Sequence, residues 1–419
     1  MTSISQNANN FSQTLVQRLR ATAKRIGVQT LPRKANQPKT CPHGGRVYET
    51  IGQDFSQLES RKEVLAADVL DAWYPPAPSV LKVLEDNLTW SARTSPPLHA
   101  DGLREVIAKN RGIEPSQIVL GCGSSDLIFR IVPEFLDGSG PIVIPQPSYA
   151  EYRHVLTNLH GRSVVPFYTD SNDFVLNVEK LLRFAKSVAA SSVCLVNPCN
   201  PTGFALTKDK MLQLLDGLEG LRIVVDETYI DYIGKEESLE TLVENYPNLL
   251  ILKSVSKFYA LSGMRIGYAV TSAKRAIQYC NATPPYIVST PGQMAAIAAF
   301  NAEEYYLDRV AQTHRLRQSF SEALEKLPGI RVMPSNINCL LLDLRETGWV
   351  AHEFWEELRR KKLLSRDISH QGLEESGRYI RVAVLSESDN LKMVEIISEV
   401  LAMKSPVAND DSFSEILCA

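Results

Sequence analysis

Six short, almost wholly apolar runs constrain this chain more than any other feature. They cover residues 117–121, 141–144, 193–196, 223–225, 249–252 and 267–270, and longer amphipathic stretches separate them. Runs of aliphatic and β-branched residues without polar alternation suit strands buried on both faces, as in a parallel sheet. The segments between them are long enough for crossover helices. The pattern predicts an α/β fold, with a large domain over 76–299 built on a mostly parallel central sheet. Near residue 300 the character changes. A charged helical stretch at 305–327 precedes strands near 330–332 and 339–344, a helix at 350–361, a strand at 379–384 and a last helix at 390–403. That order predicts a smaller α+β domain over 300–404. A lead-in segment at 49–75 and a poorly ordered tail at 405–419 complete the division.

Composition narrows the function classes. Of 419 residues, 44% are hydrophobic and 22% charged, which is ordinary for a soluble globular protein and leaves room for a large core. A net charge of -3 argues against a dedicated nucleic-acid binder. No run approaches the roughly 18 apolar residues that cross a bilayer, so no membrane partner is expected. The charge is unevenly placed: residues 1–48 hold eight Lys/Arg and no Asp/Glu, leaving 37 basic against 48 acidic residues beyond. Phe11, Leu15, Leu19, Ala23 and Ile26 form an apolar stripe on this basic start. It fits an N-terminal arm lying on the acidic body of its own or a partner subunit, and it also fits an organelle transit peptide. The seven cysteines, at 41, 122, 194, 199, 280, 339 and 418, show no CxxC or Cys/His ligand spacing. They predict no metal, and a reduced, cytoplasmic setting is the simplest reading, with organelle transit left open.

The chemistry lies just after the apolar runs, where open α/β sheets bind ligands. Lys257 follows one such run within Ser254-Val-Ser256-Lys257, and Arg265 stands eight residues on. A lysine desolvated there becomes a nucleophile toward carbonyl groups, while Ser254, Ser256 and Arg265 make a phosphate clamp. Val225-Asp226-Glu-Thr-Tyr229 sets a carboxylate and a phenol at a strand end, and Asn197-Pro-Cys-Asn200-Pro-Thr-Gly203 is a turn-rich loop after another strand. Together these match the needs of pyridoxal phosphate: a Schiff-base lysine, a carboxylate for the pyridine nitrogen, and two hydrogen-bonding groups for the ring oxygen.

On these three motifs the chain resembles the fold type I pyridoxal-phosphate enzymes of the class I/II aminotransferases, nearest in pattern to the histidinol-phosphate aminotransferases, over about residues 70–403. The resemblance implies that Lys257 is the Schiff-base lysine and also the proton carrier. It implies that Asp226 pairs with the pyridine nitrogen and that Tyr229 and Asn200 face the ring oxygen. It further places Ser124 and Ser125 at the phosphate, Tyr149 stacked on the ring, and Arg381 on the substrate α-carboxylate. Asn338, Arg366 and Tyr74 fall on the substrate side. A homodimer with shared active sites and a small amino-acid substrate are implied as well. Two departures concern the substrate end. The run Leu70-Asp-Ala-Trp-Tyr-Pro replaces an Asn-Glu-Asn-Pro-like stretch, and Ser95 stands where a partner-subunit tyrosine is usual; His99 follows close by. The expected reaction is amino transfer from an α-amino acid to a keto acid, and the same site could serve a lyase, decarboxylase or cyclase.

Overall fold

The computed structural model describes residues 41, 43–170, 172–369, 371 and 377–404. The apolar stripe at 11–26, the rest of the basic segment to residue 40, and the tail from 405 lie outside the described residues.

A short lead-in strand, β1 (Leu65–Ala66), precedes the main sheet. That sheet comprises β2 (Ile118–Gly121), β3 (Ile142–Gln146), β4 (Val164–Tyr168), β5 (Ser192–Val196), β6 (Arg222–Asp226), β7 (Leu249–Ser254) and β8 (Gly267–Val270). Its spatial order is β2-β8-β7-β6-β5-β3-β4, parallel throughout except for β8, which runs antiparallel to both neighbours. Every predicted apolar run falls on one of these strands. The unpredicted one is β4, an edge strand whose residues are half-buried or exposed and which contains Pro166; its Val-Val-Pro-Phe-Tyr sequence is apolar, but a proline inside a strand is tolerated only at an edge, so the run does not read as a buried strand.

Side-chain alternation along the strands feeds two cores. Ile223 and Val225 of β6 enter the cluster on one face with Leu103, Leu195 and Ile251, while Val224 enters the other with Ile128, Tyr152 and Leu252. The crossover helices are closed by side-chain caps: Asn177 accepts from the Lys180 amide before Val178–Ser187, and Thr207 does the same before Lys208–Gly217.

The helix Glu303–Leu324 leads into a four-stranded antiparallel sheet, ordered β12-β13-β10-β9, of β9 (Arg331–Met333), β10 (Cys339–Asp343), β12 (Arg366–Asp367) and β13 (Tyr379–Ala383). Between them, β11 (Leu363–Leu364) pairs in parallel with β1, so the lead-in segment is stitched to the C-terminal sheet. The described residues, from Cys41 to Lys404, group as one compact unit. Residues 41–48, which the charge count groups with the basic arm, therefore belong by contact to this body. The amides of Gly45 and Arg46 donate to the Asp68 carboxylate at 2.7 and 3.0 Å, and a Cβ on Gly44 would sit 2.6 Å from the Asp68 carbonyl oxygen. Charge counts the ionic residues of a segment but not what its backbone packs against.

Candidate active site

The C-terminal ends of β5, β6 and β7 open onto a cavity of about 240 Å³. Asp226 is the last residue of β6, and parallel pairing sets it beside Val196 and Leu252. Its carboxylate accepts hydrogen bonds from the Tyr152 hydroxyl at 2.7 Å and from the Thr228 amide at 2.9 Å. Burial raises its pKa above the usual carboxylate range despite these hydrogen bonds. Tyr229 and Asn200 line the same cavity.

Lys257 follows β7 and lines the opposite wall with Ser254 and Ser256. Its Nζ donates to the Asp71 carboxylate at 2.8 Å. Arg265 reaches back across the glycine loop after β2. Gly123 adopts φ +83°, and a Cβ there would lie 2.4 Å from an Arg265 guanidinium nitrogen. A Cβ on Gly267 would lie 2.4 Å from the Ser124 amide nitrogen. Only hydrogen side chains let strand, loop and guanidinium meet here. The guanidinium, the hydroxyls of Ser124, Ser125, Ser254 and Ser256, and the free first turn of the helix Ser124–Arg130 form a cradle for a phosphate.

Tyr149 forms part of the wall, and burial followed by the charge of Glu151 raises its phenol. Arg381, on β13, enters from the C-terminal sheet. Its guanidinium donates to the Asn200 side-chain oxygen at 2.6 Å and to the Asp68 carbonyl at 2.7 Å, and its buried Nε has no protein partner. A buried donor left open at a cavity wall suits an anionic ligand. Arg366 lines the cavity beside it; burial, then the charge of Arg381, lowers its proton affinity.

Two expected substrate-side residues stand elsewhere. Tyr74 is buried in the main core with its hydroxyl donating to the Phe258 carbonyl at 2.7 Å, so it faces no ligand. Asn338 is 1% exposed and spends its amide on the carbonyls of Leu70 and Asp71, at 3.2 and 3.5 Å. The resemblance put both on the substrate side, and packing turned both side chains toward protein. Ser95 and His99 are exposed and do not line this cavity.

Several site residues escaped the sequence reading. Cys41, His43 and Asp68 line the cavity, and the His43 imidazole contacts the buried Glu151 carboxylate. Burial, then the charge of Glu151, pushes the Cys41 thiol up to about 11, so it is not a nucleophile at neutral pH. Tyr152 and Asp71 stand behind the lining and bind Asp226 and Lys257, which line it. The Cys-Pro-His-Gly-Gly run at 41–45 was a visible signal, obscured because it was counted with the basic arm.

A lysine, a hydrogen-bonded carboxylate at a strand end, a serine-lined loop closed by Arg265 and an arginine with an open donor meet on one cavity of a seven-stranded sheet, a set suited to pyridoxal phosphate. The model of the aminotransferase class I and II family matches residues 68–397, and the chain belongs to that family. It is 32% identical to histidinol-phosphate aminotransferase 2 of Archaeoglobus fulgidus over 302 residues, 71% of this chain and 82% of that one. Among solved structures, the histidinol-phosphate aminotransferase of Clostridium acetobutylicum superposes with a TM-score of 0.72 at 25% identity, covering 81% of this chain and 99% of that chain. The Sinorhizobium meliloti histidinol-phosphate aminotransferase, solved with pyridoxal-5'-phosphate, has the same fold: TM-score 0.75, 21% identity, 90% and 99% coverage. The chain is a pyridoxal-phosphate-dependent aminotransferase of fold type I. Among the described residues, no helix is long and apolar enough to cross a membrane.

Proposed function

We propose that the chain moves the amino group of an α-amino acid bearing a second anionic group to a keto acid. The observation that carries this reading is the meeting of Lys257, Asp226, Arg265 and Arg381 on one cavity. Bound pyridoxal phosphate supplies an electron sink for the substrate Cα. Lys257 anchors the cofactor and afterwards carries a proton at its Nζ. Asp226 faces the pyridine nitrogen, and Tyr152 and Thr228 hold its carboxylate in place. Tyr229 and Asn200 would hydrogen-bond the ring oxygen, and Tyr149 would pack on the ring. Ser124, Ser125, Ser254, Ser256 and Arg265 take the phosphate. Arg381 orients the α-carboxylate through its free Nε. Arg366 stands beside it on the wall, where a second anion of the substrate would be neutralised.

A homodimer is part of the proposal. Leu88, Trp90, Leu98 and Tyr286 are 48–62% exposed, and the Tyr286 amide donates to the Leu98 carbonyl at 3.2 Å, bringing two of them together. Burying such side chains against a second copy is favourable, and exposed Ser95 lies between Trp90 and Leu98 in the chain. The cysteines at 41, 122, 194, 199, 280 and 339 are free, which fits a reducing, cytoplasmic setting.

The test is the absorbance spectrum of the purified protein during addition of an amino-acid panel that includes phosphorylated and dicarboxylic members and histidinol phosphate, with Lys257→Ala as control. The expected result is conversion of the cofactor to its amine form with one equivalent of keto product per site. Release of carbon dioxide or ammonia without the amine form would replace transfer by decarboxylation or elimination.

A further inference from the structure

Asp226 is already engaged by Tyr152 and Thr228. The carboxylate that meets Lys257 is a different one, Asp71, in the lead-in segment. Lys257 Nζ donates to its Oδ1 at 2.8 Å, and the Ser262 hydroxyl donates to the same oxygen at 2.6 Å. Asn338, just before β10, holds the Leu70 and Asp71 carbonyls, so the backbone that carries this side chain is tethered from the C-terminal sheet. Apart from Lys257, the titratable groups around Asp71 are Arg265 and, on the protein side, Tyr232. Burial raises the Asp71 pKa, but Lys257, Ser262 and Arg265 together hold it below the usual range, so the group is a carboxylate at neutral pH. Lys257 is only 17% exposed whereas Asp71 is 55% exposed, which leaves the attraction partly screened and still directional.

Resting on the reading of Lys257 as the cofactor-bearing lysine, we propose that Asp71 is a further working residue of the site. Its carboxylate receives the Lys257 Nζ, as an ion pair and hydrogen bond, whenever that nitrogen is not bonded to the cofactor. A charge-assisted hydrogen bond at this distance parks the free amine and withholds it from other electrophiles. Ser262 aims the carboxylate, and Asn338 fixes the chain that presents it.

Asp71→Asn keeps the shape and removes the charge, and Asp71→Ser and Asp71→Glu accompany it. In full-length protein stripped of cofactor, acylation of Lys257 by trace acetic anhydride at pH 8, read by peptide mass spectrometry, is expected to be at least about threefold faster in the Asn and Ser variants. Asp71→Glu is expected to move back toward the parent rate. Parent-like labelling in both charge-removing variants would overturn the proposal. Lys257→Ala separates the two ideas. If it retains the parent's band and its pH response, the reading of Lys257 itself fails. If the band is lost there while Asp71→Asn behaves as the parent, only the role of Asp71 fails.

Discussion

The Tyr152 hydroxyl and the Asp226 carboxylate meet at 2.7 Å beneath the cavity, 74 residues apart in the chain, and Tyr152 is completely buried. The contact stabilises a charge that burial opposes. Tyr152→Phe removes the donor without opening a cavity. A hydrogen bond to a charged group contributes about 1.5–3 kcal/mol, so kcat is expected to fall roughly tenfold or more while cofactor stays bound. Steady-state kinetics beside the absorbance spectrum checks it; an unchanged kcat would remove Tyr152 from the site.

Gly123 stands at φ +83° and ψ 164°, a region essentially restricted to glycine, and its missing Cβ is the space the Arg265 guanidinium occupies. Gly123→Ala is expected to weaken cofactor affinity by about tenfold or more and to cost about 1–3 kcal/mol in stability. Fluorescence titration with pyridoxal phosphate and urea unfolding measure the two effects separately.

Arg381 makes a fork of contacts that a lysine cannot reproduce. Arg381→Lys is expected to raise KM for the amino acid about 10- to 100-fold, equivalent to about 1.4–2.8 kcal/mol. Cofactor absorbance is expected to change little. A kcat loss at constant KM would assign the arginine a role other than holding the substrate.

Behind the site, Arg111 bridges Asp231 and Glu240 at 2.6 Å each, all three nearly inaccessible. Burial raises both carboxyls, but Arg111 and Lys253 outweigh it and hold them below their ordinary values. Such depressed acids add stability that is complete above their unfolded values, about 4, and is lost as pH falls through their folded values. Arg111→Met is expected to cost about 3–5 kcal/mol at pH 7, because it leaves two buried carboxylates short of a partner. It is also expected to lose less stability than the parent between pH 4 and 3. Urea unfolding across that range tests both statements.

Trp90 and Leu98 are exposed apolar side chains, and Trp90→Glu is expected to shift the protein from dimer to monomer in sedimentation velocity. A parent that is already monomeric would refute the dimer outright.

Much of this was legible in one dimension. Buried parallel strands must be apolar on both faces, so they appear as runs, and a ligand site must follow their C-terminal ends. Lys257, Asp226 and Asn200 each sit a few positions after such a run and Arg265 just before the last one, and the polar motifs around them mark them out. Their family membership rests on the same local motifs. What the sequence by itself determined is therefore six of the seven main-sheet strands, the fold class and the motifs that line the cavity, because each depends on neighbours within a few positions.

Only the tertiary structure decided the partners of those residues. Asp71 lies 186 residues from Lys257, and Glu151 lies 108 from His43. No local pattern couples such pairs; the pairing of β1 with β11 and the closure of the C-terminal sheet bring them together. The same closure turned Tyr74 and Asn338 inward to satisfy buried carbonyl groups, because a buried polar side chain takes the nearest protein partner when no water can reach it.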